Sequence, residues 1–405
     1  MQKKSIYFQK IKNKVIYAKL YRDNYNPKLF DNFKEVKDVI YSGKWSSSPY
    51  PGKYNKKFVD SFLKVQKAKY GLCLSNGTVA ISVALKASGL KFGDEVLMSS
   101  LTYHTTASAA LEIGVKPKFI DIDPDTLCID IKLLEKNINR KTKAVIIVHL
   151  GSMVSNIEQI SRICKKKKII LIEDCSHVHG ALWNGKGVGT FGDFGSFSFQ
   201  QSKLITSGEG GFLIIKDKRK YKECLSLVNC GRDFISPFKT LGVNHRLSEI
   251  QCALLLYKLK KFKKNLNNIN SNINYFTNEI SKFDEFQILK FDNKYKFKTG
   301  YFYGFKLNKS FLKRFKKDIF TKECEKLNIN IQSKLYSPVY LNPEFGWKNS
   351  PIKISYKGLK CPNAESVPDK EVVWLNFIHF TGNKYFINQI INSFKLIFKK
   401  LNNLR

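Results

Sequence analysis

Short apolar runs alternate with helical stretches between residues 70 and 215, and this alternation limits the possible folds more than any other feature. The runs have strand length and are rich in aliphatic residues, which predicts strands at 71–74, 95–98, 118–122, 144–148, 169–172 and 212–215. Helices are predicted between most of them, including 78–88 and 157–164. Strands that alternate with helices form a largely parallel sheet covered on both faces, so we expect an α/β fold.

The apolar period changes after residue 244. Apolar residues then recur at intervals of four and three, as in a long amphipathic helix: Leu255, Leu259, Phe262, Leu266, Ile269 and Ile273. We predict an N-terminal segment (1–35), a large α/β domain (36–254), a connecting helix (255–288) and a small α+β domain (289–405). The length of 405 residues fits this division.

The formal net charge of +37 raises the alternative of a basic nucleic-acid-binding protein. Most of the excess is Lys, and the few Arg residues are scattered. Direct base recognition depends heavily on Arg, so we expect no nucleic-acid partner. The charge instead favours solubility and the attraction of anionic substrates such as phosphates or nucleotide-sugars.

The cysteines and the apolar runs indicate a cytoplasmic protein without a membrane segment. The nine cysteines form no CxxC pair, which argues against a zinc site and favours a reducing compartment. The apolar runs have strand length, too short to cross a bilayer. Residues 1–14 carry charges throughout, unlike a signal peptide.

An apolar run ends in the pair Glu173-Asp174, followed by His177 and His179. Ligands bind at the carboxyl ends of parallel strands, where a buried carboxylate needs a cation. The protonated pyridine nitrogen of pyridoxal 5'-phosphate (PLP) is such a cation. Two alternatives remain: Asp174 caps a following helix, or Asp174 and the two histidines bind a metal, which two histidines on a loop support only weakly.

A single lysine, Lys203, follows another apolar run and precedes a glycine-rich turn at 208–211. Ser198 and Ser202 beside it can contact a phosphate, and a partly buried lysine can attack a carbonyl carbon. These features suit a lysine that carries PLP covalently. The alternative is a surface lysine on a turn.

Gly77 and Thr78 lie between a strand and a helix, the position at which backbone N–H groups bind a phosphate. Thr78 is alternatively a helix cap. Residues 187–192 match GxGxxG, but they neither open a helix nor belong to the first βαβ unit. A dinucleotide site requires both contexts, so we do not expect one.

Together these segments resemble the DegT/DnrJ/EryC1/StrS family of sugar aminotransferases. The resemblance extends from about residue 43 to about residue 380 and rests on several ordered motifs: 74–78, 101–107, 173–181, 197–203, 208–211, 242–253 and 361–365. It implies the aspartate-aminotransferase type of fold and PLP as the cofactor.

The resemblance also implies a role for each site residue. Asp174 would pair with the pyridine nitrogen, His177 would lie near the phenolic oxygen of the cofactor, and Lys203 would carry it. Tyr103 would stack on the ring. Gly77, Thr78 and Ser198 would hold the phosphate. Asn244 would reach the phosphate of the neighbouring subunit, which implies a homodimer with shared active sites; alternatively, Asn244 caps the next helix.

The implied reaction transfers an amino group from glutamate or glutamine to a nucleotide-linked keto-sugar or a ketocyclitol. Related dehydratases carry histidine at the lysine position, so Lys203 favours transamination. Motifs at 125–130, 200–203 and 362–365 resemble the cyclitol branch, whereas residues 149–156 depart from the family pattern on the substrate side. The alternatives are a PLP-binding regulator without turnover, a nucleic-acid binder and a nicotinamide-dependent oxidoreductase.

Overall fold

The computed structural model describes residues 2–25, 33–232, 240–297 and 299–403. The α-helices are α1 (Gln2–Tyr25), α2 (Lys34–Ser42), α3 (Lys53–Gln66), α4 (Gly77–Ala87), α5 (Thr105–Leu111), α6 (Ile131–Asn137), α7 (Ile157–Lys167), α8 (Lys218–Val228), α9 (Glu249–Ile280), α10 (Lys309–Arg314), α11 (Lys317–Lys326), α12 (Pro362–Lys370) and α13 (Lys384–Asn402). The strands are β1 (Tyr70–Leu74), β2 (Glu95–Ser99), β3 (Lys116–Ile120), β4 (Thr142–Val148), β5 (Ile170–Asp174), β6 (Leu182–Trp183), β7 (Lys186–Gly187), β8 (Phe194–Ser198), β9 (Gly211–Ile215), β10 (Phe286–Ile288), β11 (Tyr295–Phe297), β12 (Phe302–Leu307), β13 (Ile331–Gln332) and β14 (Val372–Asn376).

A seven-stranded sheet forms the centre, with strand order β1-β9-β8-β5-β4-β2-β3. Strand β9 runs antiparallel to both of its neighbours, and the remaining pairs are parallel. Residues 144–148 of β4 are all buried, as expected for a strand covered on both faces. The predicted α/β fold with a largely parallel sheet is therefore confirmed.

The six predicted strands all form, with ends within two residues of the predicted ones. The largest displacement is in β3, which begins and ends two residues before the predicted 118–122. Asp121 accounts for the difference. Its carboxylate accepts hydrogen bonds from its neighbour Ile122 (2.8 Å) and from the N–H of Ala364 (2.9 Å), so the chain leaves the ladder there.

Helix α9 is the long amphipathic helix that the apolar stripe predicted, and all six stripe residues are buried. The predicted limits 255–288 are wrong at both ends. The helix begins at Glu249 because Ser248 and Gln251 form a capping box, a signal that lies before the first stripe residue. It ends at Ile280, and residues 286–288 form strand β10.

The C-terminal part contains a second sheet, with order β10-β12-β14-β13 and antiparallel pairing. Helix α1 packs against α13 although the two lie at opposite ends of the chain. The buried side chains of Gln9 and Asn13 donate hydrogen bonds to the carbonyls of Gln389 (3.1 Å) and Leu327 (2.7 Å). Across the described ranges, every helix is too short or too polar to span a bilayer.

Candidate active site

A cavity of about 590 Å³ lies at the carboxyl ends of β4, β5 and β8, beside the first turn of α4. This edge of a parallel sheet is the usual position of ligand sites. The cavity is lined by seven of the eight residues that the sequence predicts for the site: Gly77, Thr78, Tyr103, Asp174, His177, Ser198 and Lys203. The eighth, Asn244, does not line the cavity formed by the described residues of its own chain.

Asp174 ends strand β5, and its side chain is buried in the cavity wall. Its Oδ2 accepts a hydrogen bond from the Thr106 hydroxyl (3.0 Å), and its Oδ1 accepts one from the Ser176 hydroxyl (2.7 Å). Turns follow Asp174 instead of a helix, so the helix-cap alternative is wrong. The Ser176 N–H also donates to Oδ1 (3.2 Å). All three partners are neutral, and the buried carboxylate therefore still favours a cation in the cavity.

The adjacent Glu173 is fully buried and points away from the cavity. Its carboxylate accepts three backbone hydrogen bonds, from Gly189 (2.8 Å), Phe191 (2.8 Å) and Gly192 (2.7 Å). These donors belong to the segment that matches GxGxxG. The segment leads into strand β8 and not into a helix, and its backbone N–H groups bind the buried Glu173 carboxylate. Its glycines therefore do not form a dinucleotide-binding turn.

His149 completes the surroundings of Glu173. The Ser155 N–H donates to His149 Nδ1 (3.3 Å), which leaves the ring proton on Nε2, and Nε2 lies 3.3 Å from the Glu173 carboxylate. The ligand atoms of His149, Glu173 and Cys175 lie within 4.8 Å of one another, a spacing that could hold a metal ion. The hydrogen bonds of His149 occupy both of its nitrogens, so we assign this cluster a structural role.

Lys203 lies in the loop between β8 and β9, and its half-buried side chain forms part of the cavity wall. Its Nζ lies 3.4 Å from the Tyr301 hydroxyl and 4.5 Å from the centre of the Tyr301 ring. The alternative of a lysine on an open surface turn is therefore wrong. The loop returns through Gly211, where a Cβ atom would lie 2.3 Å from the backbone of Asn76, so only glycine permits this close approach.

The first turn of α4 faces the cavity. Asn76 is the N-cap, because its Oδ1 accepts a hydrogen bond from the Val79 N–H (2.8 Å). The alternative that Thr78 is the cap is wrong, and the Thr78 hydroxyl instead donates to Thr105 (3.0 Å). The N–H groups of Gly77 and Thr78 lie in the first turn, where the helix supplies no carbonyl partner.

Ser198 ends strand β8 beside this turn. A Cβ atom on Gly77 would lie 3.1 Å from the Cβ atom of Ser198, so the glycine leaves space between strand and helix. Backbone donors and the hydroxyls of Thr78 and Ser198 thus line one corner of the cavity. Such a corner suits an anion.

His177 also lines the cavity and is buried. The Gly151 N–H donates to its Nδ1 (3.1 Å), so Nε2 carries the ring proton and faces the Tyr336 hydroxyl at 3.3 Å. Burial, followed by the charge of Lys203, keeps the pKa of His177 well below its usual value of 6.5. His177 is therefore a neutral hydrogen-bond donor near pH 7.

His179 lies among buried aromatic rings, outside the cavity lining. Its ring contacts Phe62 and Phe197, and its Nε2 donates to the Ser198 carbonyl (2.8 Å). Burial lowers the pKa of His179 to about 3. It is a core residue, and it does not converge with Asp174 and His177 on a common ligand.

Asn244 is exposed and lies five residues before Glu249, the first residue of α9. The N-cap of α9 is Ser248, so the alternative that Asn244 caps this helix is wrong. Nearby, Leu241 is 95% exposed and Val243 is 50% exposed. Tyr103, on the cavity wall, is 48% exposed. Exposed apolar side chains therefore occur both beside Asn244 and at the cavity.

Among the lining residues that were not predicted as site residues, four have side chains that contact Asp174, Lys203 or His177. Thr106 and Ser176, which bond Asp174, fall within the motifs 101–107 and 173–181, so their segments carried a signal. Tyr301 and Tyr336 belong to no motif, and they come from the C-terminal part of the chain. Only the fold brings them to the large-domain residues.

A family model described as the DegT/DnrJ/EryC1/StrS aminotransferase family matches residues 30–394. The chain belongs to this family. The match includes every predicted site residue and ends just before the last turns of α13. The resemblance seen in the motifs is therefore confirmed over most of the chain.

Named relatives support the same assignment. The chain is 37% identical over 240 residues to L-glutamine:2-deoxy-scyllo-inosose aminotransferase of Micromonospora echinospora. The aligned region covers 56% of this chain and 57% of that protein. It is 35% identical over 261 residues to GDP-perosamine synthase of Escherichia coli O157:H7. This aligned region covers 60% of this chain and 71% of that protein. The chain spans 55% to 62% of the length of the scyllo-inosose aminotransferases that it matches.

Solved structures share the fold. An aminotransferase from Psychrobacter cryohalolentis superposes with a TM-score of 0.82, covering 91% of this chain and 96% of that chain, at 24% identity. At this identity the likeness shows the architecture alone.

Proposed function

We propose that this family member is a PLP-dependent aminotransferase that moves an amino group from glutamate or glutamine to a ketocyclitol or a nucleotide-linked keto-sugar. The observation that carries the proposal is the convergence of Lys203, Asp174 and the first turn of α4 on one cavity. An amine, a carboxylate and an anion-binding corner are the three features that PLP requires of its site.

The cavity residues fit PLP by their chemistry. The N–H groups of Gly77 and Thr78, with the hydroxyls of Thr78 and Ser198, would hold the phosphate. Asp174, buried among neutral hydroxyls, would hold a protonated pyridine nitrogen. Lys203 would carry the cofactor through Nζ.

Two other lining residues suit the ring of the cofactor. Tyr103 offers an aromatic face at the cavity. His177 presents a neutral Nε2–H, which would donate to the phenolic oxygen. His177 is a neutral donor near pH 7 because burial keeps its pKa low.

In the proposed reaction Lys203 moves a proton. When bound, PLP acts as an electron sink for bonds at the α-carbon of the amino donor. Lys203 Nζ, once displaced from the cofactor by the donor amine, would take the proton from the α-carbon, so that the C–H bond breaks, an N–H bond forms and the electron pair passes to the cofactor. Nζ would then deliver that proton to the C4′ carbon of the cofactor as a general acid. The Asp174 carboxylate would stabilise positive charge at the pyridine nitrogen.

The relatives guide the choice of substrates. One is named for glutamine and 2-deoxy-scyllo-inosose, and another for GDP-perosamine. We therefore propose a polyhydroxylated cyclic ketone as acceptor, in the biosynthesis of amino-cyclitols or of the amino sugars found in polysaccharides. Glutamine or glutamate would be the donor.

We also propose a homodimer with shared active sites, in which Asn244 of each chain binds the cofactor phosphate in the other. Its exposure, its absence from the lining of its own cavity and the exposed Leu241 and Val243 support this arrangement. The nine unpaired cysteines support a cytoplasmic location.

The test is a half-reaction with the purified, PLP-loaded chain. Adding L-glutamine or L-glutamate alone should bleach the yellow colour and release one 2-oxo acid per site. Adding a ketocyclitol or a nucleotide-linked keto-sugar should then restore the colour. A yellow protein that neither donor bleaches would contradict the proposal and favour a regulator that binds PLP without turnover.

A further inference from the structure

Tyr301 comes from the C-terminal part of the chain and touches the proposed reacting amine. It is 3% exposed, directly before strand β12. Its hydroxyl lies 3.4 Å from Lys203 Nζ and 2.9 Å from the Ser202 hydroxyl, and its ring stacks on His177 with centroids 4.3 Å apart. No sequence motif pointed to this residue.

The direction of the hydrogen bonds follows from counting protons. The Ser202 N–H and the Ser202 hydroxyl both donate to Oε1 of Gln200, each at 2.8 Å. Because the single hydroxyl proton of Ser202 is used there, the proton between Ser202 and Tyr301 comes from Tyr301. The Tyr301 oxygen is then free to accept a hydrogen bond from Lys203 Nζ.

We infer that Tyr301 is a catalytic residue, whose hydroxyl accepts a hydrogen bond from Lys203 Nζ and stabilises that amine when it carries the substrate proton. The inference rests on the proposed function. A hydroxyl that donated to Nζ would occupy the lone pair that must take the proton. An accepting hydroxyl leaves that lone pair free and favours the ammonium form.

The aromatic ring of Tyr301 also favours the charged form of the Lys203 amine. Nζ lies 4.5 Å from the centre of the Tyr301 ring, within the range of a cation–π contact. Both contacts favour the charged form of the Lys203 amine, the form that the amine takes when it receives the proton from the α-carbon. A hydrogen bond of 3.4 Å is long, but such bonds commonly shorten when substrate is bound.

The test compares Tyr301→Phe with Tyr303→Phe. Tyr303 is fully buried two residues further along, its hydroxyl lies 2.7 Å from the Thr277 hydroxyl, and it does not line the cavity. Each variant therefore loses one buried hydroxyl and keeps its ring. Circular dichroism and thermal unfolding check that both variants fold.

Two measurements are made on each variant: one of the reactivity of the Lys203 amine and one of the rate of proton transfer. The first is the rate at which trinitrobenzenesulfonate labels Lys203 in the full chain freed of cofactor, measured by peptide mass spectrometry at fixed pH. Tyr301→Phe should label about three- to tenfold faster, because the unreactive ammonium form loses an acceptor. The second is the glutamine half-reaction, which should slow by about tenfold, with a larger isotope effect from α-deuterated glutamine.

Tyr303→Phe should match the wild type in both readouts. Unchanged or slower labelling of Lys203 in Tyr301→Phe would overturn the inference, as would a half-reaction with the wild-type rate and isotope effect. If the wild-type chain itself shows no half-reaction, the proposed function fails and the catalytic role falls with it. If only Tyr301→Phe behaves as wild type, the role of Tyr301 alone is overturned.

Discussion

Glu173 and Asp174 are neighbouring carboxylates at the end of strand β5, with different surroundings. Successive side chains of a strand point to opposite faces. Glu173 faces inward and has four hydrogen-bond partners, three backbone N–H groups and His149. Asp174 faces the cavity and has the Ser176 N–H and two hydroxyls. The first carboxylate holds the sheet edge together, and the second keeps bonding capacity for a ligand.

His177 and His179 repeat this contrast. His177 lines the cavity with a donating Nε2, whereas His179 lies in the aromatic core and bonds a carbonyl. A short segment, 173–181, therefore contains both structural and functional polar groups. Residue type alone does not distinguish them, and the hydrogen-bond partners do.

The largest effect is expected for Asp174→Asn. The amide cannot keep the pyridine nitrogen protonated, so turnover should fall by about a hundred- to a thousandfold or more, on the order of 3–4 kcal/mol of barrier. Cofactor should remain bound, and the free energy of unfolding should change little. Single-turnover kinetics with glutamine measures the first effect, and urea unfolding measures the second. A near-normal half-reaction rate would show that Asp174 has no electrostatic role.

Glu173→Gln should give the opposite result. Its amide nitrogen would replace an oxygen that accepts backbone hydrogen bonds, leaving buried N–H groups without acceptors. We expect a loss of about 3 kcal/mol in the free energy of unfolding. The half-reaction rate of the folded fraction should stay within about tenfold of wild type. A stable variant with a much slower half-reaction would remove the distinction between the two carboxylates.

Mixing subunits extends the comparison to Asn244. Lys203→Ala and Asn244→Ala chains should each be poorly active alone. If sites are shared, a mixed dimer has one site with both lesions and one intact site. An equal mixture should then regain roughly a quarter of the wild-type activity. No recovery, with subunit exchange confirmed by mass spectrometry, would place Asn244 in the site of its own chain.

The smallest effect concerns His179 and pH. Its folded-state pKa of about 3 lies below the value of about 6.5 expected when unfolded. Stability is therefore fully present above pH 6.5 and is lost as the pH falls toward 3. His179→Gln should lessen this loss by about 1.4 kcal/mol per pH unit between pH 6 and 4, measured by urea unfolding. Parallel curves for the variant and the wild type would contradict the assignment of His179 to the core.

The sheet was predictable because its strands are continuous apolar runs and its helices have clear stops. The residues at strand ends were predictable for the same reason, since parallel strands bring their carboxyl ends to one edge. Asp174, Ser198 and Lys203 were found in this way. The sequence could not decide whether Asp174 and Thr78 cap a helix or bind a ligand, because both roles use the same residue types.

The rest of the site could not be predicted from the sequence, because it depends on contacts between segments that are distant along the chain. Tyr301 and Tyr336 reach the cavity from the second half of the chain without a motif of their own. The motif 362–365 matched the family, yet it lies at the start of α12, where the Asn363 N–H donates to Asp121 (3.0 Å). It joins the two parts of the chain and does not line the cavity.

The central claim is that Lys203 carries the cofactor, and borohydride reduction tests it most directly. The yellow protein is reduced, digested and analysed by mass spectrometry. The account predicts the mass of reduced pyridoxal phosphate on Lys203, with Lys203→Ala losing that mass and Asp174→Asn keeping it. Cofactor mass on another lysine, or none in a protein that remains yellow, would contradict it.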